Sequence, residues 1–206
     1  MNAVIAGEID HNEIHPFVSK KQKAIYAMIP YYHRAVILGD SVAESILDFR
    51  LLRKNNVIAK RGRCVDQSDG DVLTAISYQP KYVFMEYGKN DITHFGGNHE
   101  AFIKAYTKQI SLILRTVPNV QIFVNSIIPM RHDIVEIIGG VEVFECFNEG
   151  LKRMCVELGV GFIDNSELLD WDEDVYEFDG IHPKYPYYPK WLKHMVEVAQ
   201  IEASEE

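Results

Sequence analysis

The sequence predicts an α/β fold, a parallel sheet of about five strands covered by helices on both faces. Two observations predict it. Short apolar, β-rich runs alternate along the chain with longer stretches of helical periodicity, the pattern of βαβ crossovers. The 206 residues are also 47% hydrophobic and 25% charged, enough to bury a substantial core as one domain over residues 1–206.

Residues 1–33 read as an extension before the first strand, partly helical over 18–32. Ala35, Val36, Ile37 and Leu38 form a buried apolar strand, and a helix follows over 42–54. Residues 56–59 make a second short strand. Ser68-Asp69-Gly70-Asp71 has capping-box form and starts a helix over 69–78. Tyr82, Val83, Phe84 and Met85 supply a third strand. Over 100–115, Phe102, Ile103, Tyr106, Ile110, Ile113 and Leu114 recur at helical spacing. A fourth strand covers 120–128. Over 142–158, Phe144, Phe147, Leu151, Met154 and Leu158 mark another inward helical face. The fifth strand is 160–163, and a closing helix covers 189–203. There is no internal repeat, low-complexity tract or linker; the acidic stretch 167–177 reads as a surface loop.

Composition excludes several classes of function. Thirty acidic against 21 basic residues leave a formal charge of −9, which argues against nucleic acid or an anionic membrane as partner. No apolar run reaches the roughly 18–20 residues that span a bilayer. Residues 1–15 carry Glu8, Asp10 and Glu13 and lack the pattern of a signal peptide. Cys64, Cys146 and Cys155 form neither a C-x-x-C pair nor a disulfide framework. The expected setting is a reducing cytoplasm. No phosphate-binding loop or dinucleotide fingerprint is present.

The chemistry concentrates at strand ends. Gly39-Asp40-Ser41 lies where the first strand gives way to a helix, so Ser41 stands at a helix N-terminus with its positive dipole and free N–H groups. In Asp179-Gly180-Ile181-His182-Pro183, the aspartate three residues before the histidine can orient its imidazole toward a serine brought in from elsewhere. Ser41 follows strand one, Gly88 to Asp91 follow strand three, and Asp179 to His182 follow strand five. All three project to the carboxyl edge of the sheet, where ligands of such sheets bind.

With Gly88-Lys89-Asn90-Asp91 added, the chain resembles the SGNH (GDSL-type) hydrolase family over roughly residues 35–183. Asn125-Ser126-Ile127-Ile128-Pro129 is similar to that family's fourth block. The resemblance implies a flavodoxin-like three-layer α/β/α sandwich, with Ser41 as nucleophile, His182 as base and Asp179 as its partner. It implies that the Asn90 side-chain amide donates to the oxyanion. Two positions depart from the family pattern: Val42 replaces the usual Leu or Ile, a small volume change, and the second block reads Arg61-Gly62-Arg63-Cys64-Val65-Asp66. Its oxyanion donor is Gly62 in one register, or the backbone of Val65 in the other.

These roles imply acyl transfer to Ser41 and hydrolysis of the acyl-enzyme, with no metal or organic cofactor. The expected substrate is a small carboxylic ester, with an O-acetylated carbohydrate as the first candidate. A lysophospholipase or thioesterase acting on longer chains is the same-class alternative. A catalytically silent glycan- or protein-binding module is the different-class one. Asp91 reads as a structural hydrogen-bonding residue and Cys64 as a small apolar filler. His11, His15, His94, His99 and His132 read as solvated or locally bonded. Trp171, Tyr176, Phe178, Tyr185, Tyr187 and Tyr188 surround His182 and are expected mainly to pack a long loop onto the domain.

Overall fold

The computed structural model describes residues 27–169 and 173–204. Its strands β1 (Ala35–Gly39), β2 (Val57–Ala59), β3 (Tyr82–Glu86), β4 (Gln121–Asn125) and β5 (Gly161–Ile163) form one parallel sheet in the order β2-β1-β3-β4-β5. This is the flavodoxin-like order, whose switch point lies between β1 and β3. The register sets Gly39 beside Ala59 on one side and Glu86 on the other, so these strands end level.

The α-helices are α1 (Ser41–Asp48), α2 (Asp69–Ser77), α3 (Lys89–His94), α4 (His99–Thr116), α5 (His132–Ile137), α6 (Val141–Leu158) and α7 (Tyr187–Val198). Every residue of β1 and β3 is buried, as strands covered on both faces must be. Side chains alternate across the sheet. Val36, Leu38, Val83, Met85 and Val124 meet α2, α4 and α6 in one core. Ala35, Ile37, Tyr82 and Phe84 meet α1 and α7 in the other. The result is three layers, each core contributing about 1.5–3 kcal/mol per large apolar side chain fully buried. Trp191 of α7 is fully buried, and its Nε1–H donates to Asn125 Oδ1 at 2.9 Å, where Asn165 Nδ2 also donates at 3.0 Å. That network ties α7 to the end of β4.

Several boundaries differ from the sequence expectation for identifiable reasons. The helix expected over 42–54 stops at Asp48 because Arg50 turns left-handed (φ 56°), and the Leu51 N–H returns to the Ile46 carbonyl. The strand expected to reach residue 128 stops at Asn125. Beyond it, Asn148 of α6 bonds both the N–H (2.8 Å) and the carbonyl (3.1 Å) of Ile127, replacing strand partners. Ser68 does not cap α2 with its side chain; its hydroxyl donates to the Val65 carbonyl at 2.7 Å. The closing helix starts at Tyr187 rather than residue 189, so Pro189 occupies the first turn, where its missing N–H costs no helical bond. Leu114 is 37% exposed rather than inward. The short helices α3 and α5 were not expected. Of the helix expected over 18–32, most lies outside the described residues, and Ile29–Tyr32 forms a 3-10 turn. Among the described residues no helix is long and apolar enough to cross a membrane.

Candidate active site

β1 closes on Gly39 because nothing larger fits. A Cβ there would stand 2.6 Å from the Glu86 carbonyl oxygen and 2.7 Å from Ala43 Cβ. This close approach brings the first turn of α1 against the end of β3. Asp40, fully buried, caps α1 by accepting the Val42 N–H on Oδ1 at 2.9 Å. Ser41 is the first helical residue, 9% exposed, so its own backbone N–H is among the helix's unpaired donors.

The loop after β5 brings His182 to that corner. Its Nε2 lies 2.8 Å from Ser41 Oγ, and its Nδ1 lies 2.7 Å from Asp179 Oδ2. Asp179 is fixed in turn, because Oδ1 accepts the backbone N–H of Ile181 (2.8 Å) and of His182 (3.0 Å). Gly180 makes the tight turn possible, with φ +70° and Arg131 Cζ only 2.9 Å from where a Cβ would stand. Burial works to raise the Asp179 carboxyl, but the His182 backbone and ring bonds and the Ile181 N–H outweigh it. The carboxyl is therefore held below its ordinary range, ionised beside the imidazole.

Asn90 reaches the same corner from α3. Gly88 precedes it with φ +146°, and a Cβ there would lie 2.3 Å from Ile127 Cδ1. The Asn90 Nδ2 donates to Asp40 Oδ2 at 2.8 Å, which leaves the second N–H of the amide for another acceptor. Asp40 therefore does two things that the sequence reading did not assign: one oxygen caps the serine's helix and the other holds the Asn90 amide. A buried acid between a strand glycine and a helix-initial serine was the available signal.

The second block requires a correction. The Val65 N–H donates to Asp91 Oδ1 at 2.8 Å, so it is committed to a carboxylate and is not available to an oxyanion. Asp91 is fully buried, and burial pushes its carboxyl up to about 7. Its structural reading fits this contact. Gly62 lies exposed in the turn after β2, with φ +73°. Burial, then Asp91, Asp66 and Asp40, push the Cys64 thiol up to about 12, which disfavours the thiolate a nucleophile requires. His94 bonds Asp66 Oδ2 at 2.9 Å, a local pairing.

The aromatic group divides. Tyr176, Tyr187 and Tyr188 are buried and pack the loop as expected, while Phe178 is 99% exposed beside Asp179. Trp171 lies outside the described residues. A cavity of about 500 Å³ opens near the ends of β4 and β5, lined in part by Ile127, Asn148, Lys152 and Asp164. None of Ser41, Asn90, Asp179 or His182 lines it, so the hydrogen-bond chain, not cavity size, locates the candidate chemistry. Among the described residues no group of three or more His, Cys, Asp and Glu side chains is placed to hold a metal ion.

The three layers, the strand order and a serine at the switch point place the chain in the α/β class to which many hydrolases belong. More specifically, it belongs to the GDSL-like lipase/acylhydrolase family, whose model matches residues 36–186 and so spans all four residues of the corner. Among curated proteins no sequence matches it. Solved structures share its fold. A carbohydrate esterase family 3 protein from Talaromyces cellulolyticus superposes with a TM-score of 0.60 at 17% identity, over 82% of this chain and 99% of that one. A GDSL-like lipase from Bacteroides thetaiotaomicron gives 0.62 at 14% identity, over 88% and 95%. An acetyl esterase mutant with acetate ion gives 0.60 at 17% identity, over 81% and 98%.

Proposed function

We propose that the protein is a serine esterase hydrolysing a small carboxylic ester through an acyl-enzyme, with a short acyl group on a carbohydrate as the substrate class. The observation that supports it most is the unbroken series from Asp179 to His182 to Ser41, at 2.7 and 2.8 Å. In this reading Ser41 Oγ attacks the ester carbonyl carbon while His182 Nε2 takes the hydroxyl proton. Asp179 holds the tautomer that leaves Nε2 free to accept and balances the imidazolium that forms. The tetrahedral oxyanion is met by the Ser41 N–H at the start of α1 and by the second N–H of Asn90. Gly62 is the remaining second-block candidate. His182 then protonates the leaving alcohol, and water, deprotonated by the same imidazole, releases the acid.

Support for the substrate class comes from two directions. The exposed Phe178 face beside Asp179 offers a surface on which a sugar ring can stack. Two of the structural relatives are, by name, a carbohydrate esterase and an acetyl esterase. The three free cysteines suit a reducing compartment, and the cytoplasm is the setting we propose. A binding module that retains the fold without turnover is the second reading, favoured by the commitment of the Val65 N–H to Asp91. Nitrophenyl esters of increasing chain length, followed by acetylated sugars, discriminate. The esterase reading expects turnover that is highest for acetyl and falls with chain length. Turnover that rises with chain length would transfer the assignment to a long-chain acylhydrolase, and none at all would favour the binding module.

A further inference from the structure

Lys89 is out of place by ordinary rules. It is 6% exposed, in a class of side chain that is almost never buried unless paired. It also opens α3, and the first turn of a helix is the unfavourable end for a cation. Three carboxyl groups oppose these costs from three separate elements: Glu86 at the end of β3, Asp40 at the β1–α1 corner and Asp179 in the His182 loop. Its Nζ donates to the Ile181 carbonyl at 2.6 Å.

The position of that contact gives it meaning. Lys89 is the immediate neighbour of Asn90, and Ile181 is the immediate neighbour of His182. The carbonyls on either side of Ile181 are held otherwise: the Arg131 N–H donates to Gly180 O at 2.8 Å, and the Glu177 N–H to His182 O at 2.8 Å. Arg131 fastens the loop from the α5 side, and Lys89 fastens it from the corner that carries Asn90. An ammonium on a four-carbon stem is therefore the cross-brace between the segment bearing the proposed oxyanion donor and the segment bearing the proposed base.

We propose that Lys89 is a positioning residue for the reaction, holding the His182 loop against the Asn90 corner so that the imidazole stays within proton-transfer distance of Ser41. The inference rests on the esterase reading of Ser41, His182 and Asp179. Burial pushes the Lys89 ammonium down to about 8, against the upward pull of Glu86, Asp40 and Asp179. Loss of its proton removes the positive partner of these carboxyl groups and weakens the donor to Ile181.

The test is Lys89→Met, which keeps the length and apolar stem and removes charge and donor. It is assayed with p-nitrophenyl acetate from about pH 5 to 10, a range bracketing the ordinary histidine value and the lowered lysine one. A misplacement of the base by even 1 Å is expected to lower kcat by about 10–100-fold, with KM within about twofold. Wild-type kcat/KM should decline above about pH 8, following the lowered Lys89 value, and the variant should lack that decline. The low-field proton resonance of His182 Nδ1–H, held by Asp179, should shift or broaden in the variant. If Lys89→Met does not fold, the double variant Glu86→Gln/Lys89→Met, which removes the neighbouring buried carboxyl group together with the ammonium, is read in the same way. A folded variant with wild-type kcat, an unchanged alkaline limb and an unmoved His182 resonance overturns the proposal. Absence of ester turnover in the wild type would instead overturn the esterase reading, and the His182 resonance alone would then decide whether Lys89 positions the loop.

Discussion

Asn90→Ala separates two functions that meet on one amide, a contact the structure shows and a role we propose. One Asn90 N–H is given to Asp40 Oδ2 at 2.8 Å, and the proposed mechanism gives the other to the oxyanion. Loss of a single oxyanion donor typically costs about 10²–10³ in rate, or roughly 2.7–4 kcal/mol of transition-state stabilisation. That loss should fall on kcat and leave KM nearly unchanged, because the acceptor carries its full negative charge only in the tetrahedral state. The same substitution strips a donor from Asp40, which is fully buried. Asp40 keeps the Val42 N–H and a side-chain bond to Glu86, so loss of the one bond from Asn90 costs about 1–2 kcal/mol of folding stability. Steady-state kinetics on p-nitrophenyl acetate and urea unfolding of the same preparation measure the two effects independently. A variant with raised KM and wild-type kcat would make Asn90 a ground-state contact. The reasoning about the α3 corner would then be refuted even with Ser41 and His182 intact.

Further outcomes follow from neighbouring residues. Asp179→Asn should lower kcat by about 10⁴, the loss typical when the imidazole is left in the wrong tautomer, with circular dichroism unchanged; a loss below tenfold would contradict the orienting role. Asp91 has a folded-state value raised to about 7, so its contribution to stability is present at low pH and is lost as pH rises through that value. Relative to Asp91→Asn, the wild type should lose roughly 2–4 kcal/mol between about pH 4 and 7, and no more above that. Denaturation curves showing a pH-independent offset between the two proteins would remove the argument. Gly39→Ala should destabilise by about 1–3 kcal/mol or more, since its Cβ meets backbone and helix at 2.6 and 2.7 Å. A melting temperature equal to wild type would show that β3 and α1 can part freely.

What could be read from the sequence was local or carried by chemistry. β1 and β3 were legible because strands buried on both faces are continuous apolar runs, and α4 and α6 because 18 residues give several turns of periodicity. Ser41, Asp179 and His182 stood out as a serine at a strand-to-helix corner and an aspartate three residues before a histidine, and the structure brings them together although 141 positions separate the serine from the histidine. The missed features depend on partners that no local window contains. α3 has six residues, too few to show a period. The end of β4 is set by Asn148, 21 residues away, and Val65 is engaged by Asp91, 26 residues away. Arg50 ends α1 in a left-handed conformation that arginine seldom adopts, so its sequence carries no stop signal. Lys89 was invisible for the opposite reason: a lysine is read as solvated by default, and only the fold reveals the carboxyl groups around it.

The central claim is that His182 makes the Ser41 hydroxyl a nucleophile. The most direct measurement is labelling with a fluorophosphonate probe, followed by mass spectrometry of the modified peptide. The account predicts one adduct, on Ser41, absent in Ser41→Ala and slowed by orders of magnitude in His182→Ala, with both variants folded. An adduct on another residue, or ester turnover retained by purified Ser41→Ala, would contradict it.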